Sequence, residues 1–131
     1  MEGKETICKI MRQIEDHNPK VKNITIRVSE EISKKFEVSK FSIIVNEYLH
    51  NEETKGKCNE IIIKTKYTLL EDKVAMYPYI SHRSDKIMKE EANKLKIEKM
   101  ELYNQLIKIY VEGRVKFDLT NWAKYIKFNN I

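Results

Sequence analysis

The residue types that most often perform catalysis or bind metal ions are scattered along this 131-residue chain. His17, His50 and His82 stand far apart, outside any metal-binding pattern such as HExxH. Cys8 and Cys58 are also distant from each other and belong to no CxxC pair, so we expect both to be reduced thiols. The sequence therefore predicts no metal site and no cofactor.

Carboxylates and serines form no recognisable catalytic set either. Adjacent glutamates do not share a face of a helix, so they are not acid–base pairs. The serines lack a nucleophile-elbow context, and the chain has no glycine-rich phosphate loop. We therefore expect a binding protein without catalytic residues rather than an enzyme. The adjacent glutamates are at 30–31, 52–53 and 90–91.

Composition and charge are those of a folded, basic protein. Apolar residues make up 41% of the chain, charged residues 34%, and the formal net charge is +5. This balance permits an acidic partner such as nucleic acid. The sequence has no apolar run long enough to cross a membrane, and its first residues lead into an amphipathic segment. We expect a cytoplasmic protein with no membrane partner.

One segment, residues 32–49, has a spacing that indicates a function. Ile32 and Phe36 anchor a short helix, and Val38 fills the turn that follows it. Ser39 is a suitable N-cap for a second, longer helix. This segment resembles the helix-turn-helix of bacterial and phage DNA-binding proteins. Glu37 stands where that family usually has glycine.

The resemblance implies that the second helix enters the major groove with its N-terminal residues facing base edges. Its exposed face would carry Lys40, Ser42, Ile43 and Asn46. There Asn46 would pair with adenine and Ile43 would touch a thymine methyl. The DNA-binding residues expected in this segment are Lys34, Ser39, Lys40, Ser42, Ile43 and Asn46.

The order of the predicted elements is that of a winged helix, with the second and third helices forming the helix-turn-helix. A polar loop over 51–58 follows them, and a hairpin then supplies the wing. Lys64, Lys66 and Lys73 would contact phosphates from this wing, which positions the protein without reading sequence. In chain order the elements are a helix over 7–14 ended by Asn18-Pro19, a strand over 23–28, helices over 30–36 and 40–51, and strands over 60–67 and 74–80.

The remaining chain is predicted to be a helical extension. A long helix runs from Ser84 to Val111, ended by Gly113, and a short amphipathic helix capped near Asp118 or Thr120 completes the tail. We thus expect two units, 1–83 for DNA binding and 84–131 for homodimerisation. An apolar stripe along the helix either folds back on the domain or forms a dimer interface, and we favour the dimer; its residues are Met88, Ala92, Leu95, Leu102, Leu106 and Ile109.

A second motif overlaps the first. Residues 23–31 resemble the start of a ribbon-helix-helix repressor, in which Asn23, Thr25 and Arg27 would point into the major groove from a two-stranded ribbon. Ile24, Ile26 and Val28 would then form the dimer core. The short distance between Ser29 and Ser39 favours the winged helix over this alternative.

We therefore expect a mostly helical α+β protein, a winged helix-turn-helix with a C-terminal helical extension. Its expected function is sequence-specific binding of double-stranded DNA as a transcriptional regulator, such as a repressor. An adaptor that binds repeated plasmid or phage sites for partition or conjugation is the alternative, and a protein-binding helical module is a third hypothesis. Tyr77-Pro78-Tyr79 is interpreted as an aromatic edge of the core in preference to a stacking platform for single strands.

Overall fold

Residues 21–65 and 73–122 are described by the structure, a computed structural model, and they form a mostly helical α+β fold. The predicted helix over 7–14, Lys66 and the end of the tail beyond residue 122 lie outside these ranges. The described elements are β1 (Val21–Asn23), β2 (Ile26–Val28), α1 (Glu30–Lys35), α2 (Phe41–His50), α3 (Glu52–Lys64), β3 (Val74–Met76), β4 (Tyr79–Ser81), α4 (His82–Lys94) and α5 (Lys99–Val111), with 3-10 turns at Val38–Lys40 and Leu119–Trp122.

The strands form one interrupted antiparallel ribbon. β1 pairs with β4 and β2 pairs with β3 in a common register, with Val21 opposite Ser81 and Ile26 opposite Met76. Between the two pairs, the Ile24 amide donates to the Pro78 carbonyl at 3.0 Å. Proline offers no N–H in return, which interrupts the ladder at this point. The strand predicted over 23–28 is thus present in two short pieces.

The described residues on either side of the predicted wing do not form a hairpin with each other. The prediction of a strand is wrong for residues 60–64, which belong to helix α3, and residues 66–67 lie outside the described ranges. The returning strand is present as β3 and β4, but its partner is the N-terminal strand.

Helix α1 begins as predicted. The Ser29 hydroxyl accepts from the Ile32 amide at 3.2 Å, and two glutamates occupy the first turn. The prediction of Ser39 as the next N-cap is wrong, since Ser39 lies inside the 3-10 turn and α2 begins without a side-chain cap. Glu37 has an extended backbone, with φ −90°, so the connection needs no left-handed residue such as glycine.

Helix α2 is the centre of the core. It packs against α3, α4, α5 and β4. The predicted inward residues Phe41, Ile44, Val45, Tyr48 and Leu49 are all buried. Because neighbours cover it from several directions, Ile43 and Asn46 of the predicted outer face are buried as well.

Residues 51–58 are helical, so the predicted loop is wrong. The Asn51 side-chain oxygen accepts from the amides of Glu53 and Thr54 at 3.1 and 3.2 Å, which begins α3 with an N-cap. Gly56 stands inside the helix. The inward positions Thr54, Cys58 and Ile62 recur at a spacing of four, as one face of a helix requires. Cys58 is a buried free thiol.

The single helix predicted from Ser84 to Val111 is two helices. The chain reverses between α4 and α5, where Lys96 adopts φ +60° and the Ile97 amide donates to the Ala92 carbonyl at 3.1 Å. At the other end, Gly113 adopts φ +69° and ends α5 as predicted.

Five of the six residues of the apolar stripe predicted for a dimer are buried within one chain, and Leu95 is partly buried. The five buried members join the same core cluster as Ile26 of the ribbon, and they are Met88, Ala92, Leu102, Leu106 and Ile109. The stripe is therefore covered without a second subunit, and the core includes residues from both predicted units.

Near the end of the described chain, the Asp118 carboxylate accepts from the Thr120 amide at 3.2 Å, where a cap was predicted.

Candidate nucleic-acid interface

The ribbon presents one face to solvent. Alternation along the strands turns Ile26, Val28 and Ile80 toward the helices, where they are buried. Their neighbours therefore point outward, and these exposed residues are Val21, Asn23, Thr25, Arg27, Lys73, Tyr77 and Tyr79. The three polar side chains of the overlapping ribbon motif, Asn23, Thr25 and Arg27, lie together on this face as that motif predicts.

The ribbon differs from the sequence-based alternative in its origin. That alternative expected two chains to contribute one strand each, with Ile24, Ile26 and Val28 in the dimer core. Here both strands come from one chain, and Ile26 and Val28 pack in its own core. The Arg27 amide donates to Asn104 Oδ1 of α5 at 3.3 Å. The backbone beneath the Arg27 side chain is therefore anchored to a helix.

The charged residues of the ribbon are all basic. Residues 21–29 and 73–81 contain three basic residues and no acidic residue, although acidic residues are frequent elsewhere in the chain. Lys22 is turned inward to an ion pair with Asp85. In the described part of the chain, no carboxylate pairs with Arg27 or Lys73. As far as the described residues go, these two cations are available to an anionic ligand.

The residues predicted to read bases from helix α2 are largely covered. Ile43 is 1% exposed and Asn46 is 4% exposed, so the prediction that they lie on an exposed face is wrong. Asn46 Oδ1 accepts from the Ser84 hydroxyl at 3.4 Å, which turns it toward α4. Ser42 and Lys40 are half-buried. The N-terminal part of α2 therefore does not present the predicted surface.

The other predicted DNA-binding residues do not converge on one site. Lys34 and Lys64 are exposed on different helices, in i,i+4 ion pairs with Glu30 and Glu60. Ser39 is exposed in the 3-10 turn. Of the two predicted wing lysines in the described residues, Lys73 precedes β3 on the ribbon and Lys64 lies on helix α3.

A buried carboxylate lies behind the ribbon. Asp85 of α4 forms ion pairs with Lys22 of β1 and Lys99 of α5, the latter at 2.8 Å, and accepts a 2.5 Å hydrogen bond from the Tyr103 hydroxyl. Burial by itself would raise the pKa of Asp85, but the three hydrogen bonds outweigh it and hold that pKa below its ordinary value. Sequence reasoning missed this cluster, which ties the ribbon to two helices.

We expect the contribution of Asp85 to stability to depend on pH. A carboxyl whose pKa is lower in the folded than in the unfolded state stabilises the fold above its unfolded pKa of about 3.9. That stabilisation is lost as the pH falls through the folded-state value. The difference in unfolding free energy between the wild type and Asp85→Asn should therefore shrink between pH 6 and pH 2. Urea unfolding at several pH values measures this difference in free energy. A difference that does not change with pH would contradict a lowered pKa of Asp85 in the folded protein.

In residues 21–65 and 73–122 no group of three or more histidine, cysteine, aspartate and glutamate side chains is arranged to hold a metal ion. None of the helices described there combines the length and apolar character needed to cross a membrane.

The positions of Tyr77 and Tyr79 also differ from the prediction. They are 58% and 64% exposed, so the prediction of an aromatic edge of the core is wrong. The signal was present in the alternation from Val74 to Ile80, which turns Val74, Met76 and Ile80 inward and both tyrosines outward.

No protein-family model matches the chain, and neither a curated protein nor a solved structure shows significant similarity to it.

Proposed function

We propose that this protein binds double-stranded DNA and that the outer face of its ribbon, rather than helix α2, contacts the bases. The observation that carries this proposal is the exposed Arg27, flanked by exposed Thr25 and Asn23 on a ribbon without acidic residues. The major groove of B-DNA is wide enough for a two-stranded ribbon. Arg27 and Lys73 supply charge of the sign that phosphates attract.

Each outward side chain has a suitable base partner. The Arg27 guanidinium matches the two acceptors of guanine, and the Thr25 methyl group matches the methyl group of thymine. The Asn23 amide nitrogen donates to the Tyr77 carbonyl at 3.0 Å, which orients its Oδ1 and leaves that oxygen to accept from adenine. These three residues alternate along one extended strand, so the strand spans about 13 Å between Asn23 and Arg27. This length corresponds to about four base-pair steps.

Transcriptional regulation is the role we propose for this binding. A single chain carries a complete ribbon, so one chain suffices for one groove contact, and a homodimer would place two ribbons on two half-sites. An adaptor that binds repeated sites for partition or conjugation is the alternative, because such a protein would use the same surface on an array of sites.

Substitution of Arg27 should reduce specific DNA binding strongly. We expect Arg27→Ala to weaken binding to the best duplex from a random-sequence selection by about 1–3 kcal/mol and to relax the preference for guanine. Arg27→Lys should retain part of the affinity but lose the same preference, because lysine lacks the bidentate fork. Fluorescence anisotropy on the selected duplex and on single-base variants measures both effects.

The matched controls are Lys57→Ala and Ser42→Ala. Lys57 is an exposed lysine of α3 paired with Glu53 at 2.9 Å, so its loss removes one charge away from the ribbon. Ser42 belongs to the predicted recognition helix. Both variants should bind like the wild type. Unchanged binding by Arg27→Ala together with a loss in Ser42→Ala would reject the ribbon and restore helix α2 as the reading element.

A further inference from the structure

Two exposed tyrosines share the ribbon face with the proposed base-reading residues. Tyr77 lies opposite Thr25 and Tyr79 opposite Asn23 in the common register of the ribbon. Pro78 between them is buried, and its carbonyl accepts a hydrogen bond from the Ile24 amide of the opposite strand. The two side chains are thus held on one face by a ribbon that is anchored from behind.

Groove contacts do not account for these rings. A groove of a fully paired duplex presents base edges, whereas an aromatic side chain contributes most through its face, by stacking on a base. Alternate residues of a strand are about 7 Å apart. Two rings at this separation can each stack on a different base only where the bases are unpaired and spread beyond their normal spacing.

The charge around the rings favours nucleic acid over an apolar protein partner. The ribbon has no carboxylate, Arg27 lies on the same face, and β4 leads directly into exposed His82 and Arg83 of α4. A polyanion with aromatic bases complements both properties of this surface. An apolar protein surface would complement the rings alone and would leave the arginines without partners.

On the basis of the proposed function, we propose that Tyr77 and Tyr79 stack on unpaired bases, and that the preferred ligand is duplex DNA with a short unpaired segment. One strand of the ribbon then contacts base edges through Asn23, Thr25 and Arg27. The other strand holds the exposed bases of the opened segment. Such DNA arises where a duplex is locally melted or contains mismatched bases.

The test compares a fully paired duplex with the same duplex carrying a two-base mismatch bubble. 2-Aminopurine placed in the bubble reports stacking through quenching of its fluorescence. We expect the wild type to bind the bubble duplex at least about fivefold more tightly than the paired duplex, with quenching on binding. Tyr77→Leu and Tyr79→Leu should lose the preference and the quenching, whereas Tyr77→Phe and Tyr79→Phe should keep both.

The remaining outcomes separate this inference from the function on which it rests. If the paired duplex binds, Arg27→Ala weakens it and the bubble gives neither preference nor quenching, the stacking role is rejected and the proposed function stands. If the phenylalanine variants behave like the leucine variants, the hydroxyl groups rather than the ring faces are responsible, which also rejects stacking. Binding of neither DNA would reject both proposals. Circular dichroism of each variant checks that the fold is retained.

Discussion

Replacing Asp85 by alanine should lower the free energy of unfolding by about 3 kcal/mol. Asp85 accepts from Lys22, Lys99 and Tyr103, so its loss leaves two ammonium groups and a buried hydroxyl without their acceptor. Removal of one partner of a buried ion pair costs about 3–5 kcal/mol. We expect the lower end of this range because both lysines are partly exposed and can reach water.

Urea unfolding followed by circular dichroism measures this loss, and Glu53→Ala is the matched control. Glu53 is an exposed carboxylate that pairs with Lys57 of the same helix, and such pairs contribute little, about 0.2–1 kcal/mol. The control should therefore remain within about 1 kcal/mol of the wild type. If Asp85→Ala is as stable as Glu53→Ala, the cluster behind the ribbon does not hold the ribbon to the helices.

Truncation of Leu106 should destabilise the single chain rather than separate two subunits. Leu106 is buried with Leu102 in the core of one chain. Removing a buried leucine side chain costs about 2–5 kcal/mol through lost burial and the cavity left behind. We therefore expect Leu106→Ala to lower the unfolding free energy by this amount at every protein concentration.

Equilibrium unfolding and analytical ultracentrifugation together test this prediction. Ile63→Ala is the control, because Ile63 of α3 is 70% exposed and its truncation should have little effect. A different result would indicate that the stripe joins two subunits. A Leu106→Ala variant of unchanged stability that sediments as a monomer, beside a dimeric wild type, would show that the stripe is a subunit interface as first predicted from the sequence.

Several elements were predicted correctly because the signals for them come from residues that are neighbours in the sequence. The period-two alternation of residues 23–28 predicted a strand and placed Asn23, Thr25 and Arg27 on one side of it. Ser29 followed by two glutamates predicted the start of α1. Both signals act within a few residues and do not depend on distant neighbours.

The errors lie where local signals conflict or where distant residues decide. Gly56 indicated a loop, and the three isoleucines at 61–63 indicated a strand. The segment is nevertheless helical, because Asn51 caps it and Thr54, Cys58 and Ile62 are spaced as one buried face of a helix.

The turn between α4 and α5 was missed because it contains no proline or glycine. One continuous helix would have separated Asp85 from Lys99 by about 21 Å, whereas the two side chains are 2.8 Å apart.

The burial of the residues named for the site was predicted only in part. An amphipathic pattern reveals one buried face of a helix, and α2 shows such a face. It does not reveal that Ile43 and Asn46 on the other side are also covered, because that depends on the placement of α3, α4 and β4. For Tyr77 and Tyr79 the alternation from Val74 to Ile80 carried a local signal of exposure, but the strand that pairs with residues 74–81 is set by distant residues.

The most direct test of the account is an NMR titration of the ¹⁵N-labelled protein with duplex DNA. If the ribbon is the DNA-binding surface, the largest amide shifts should occur at Asn23, Thr25, Arg27, Tyr77 and Tyr79, with little change along α3. An increase in salt from about 50 to 200 mM should reverse the shifts, because binding releases counterions from phosphates. Shifts confined to residues 39–46, or no shifts at low salt, would contradict the account.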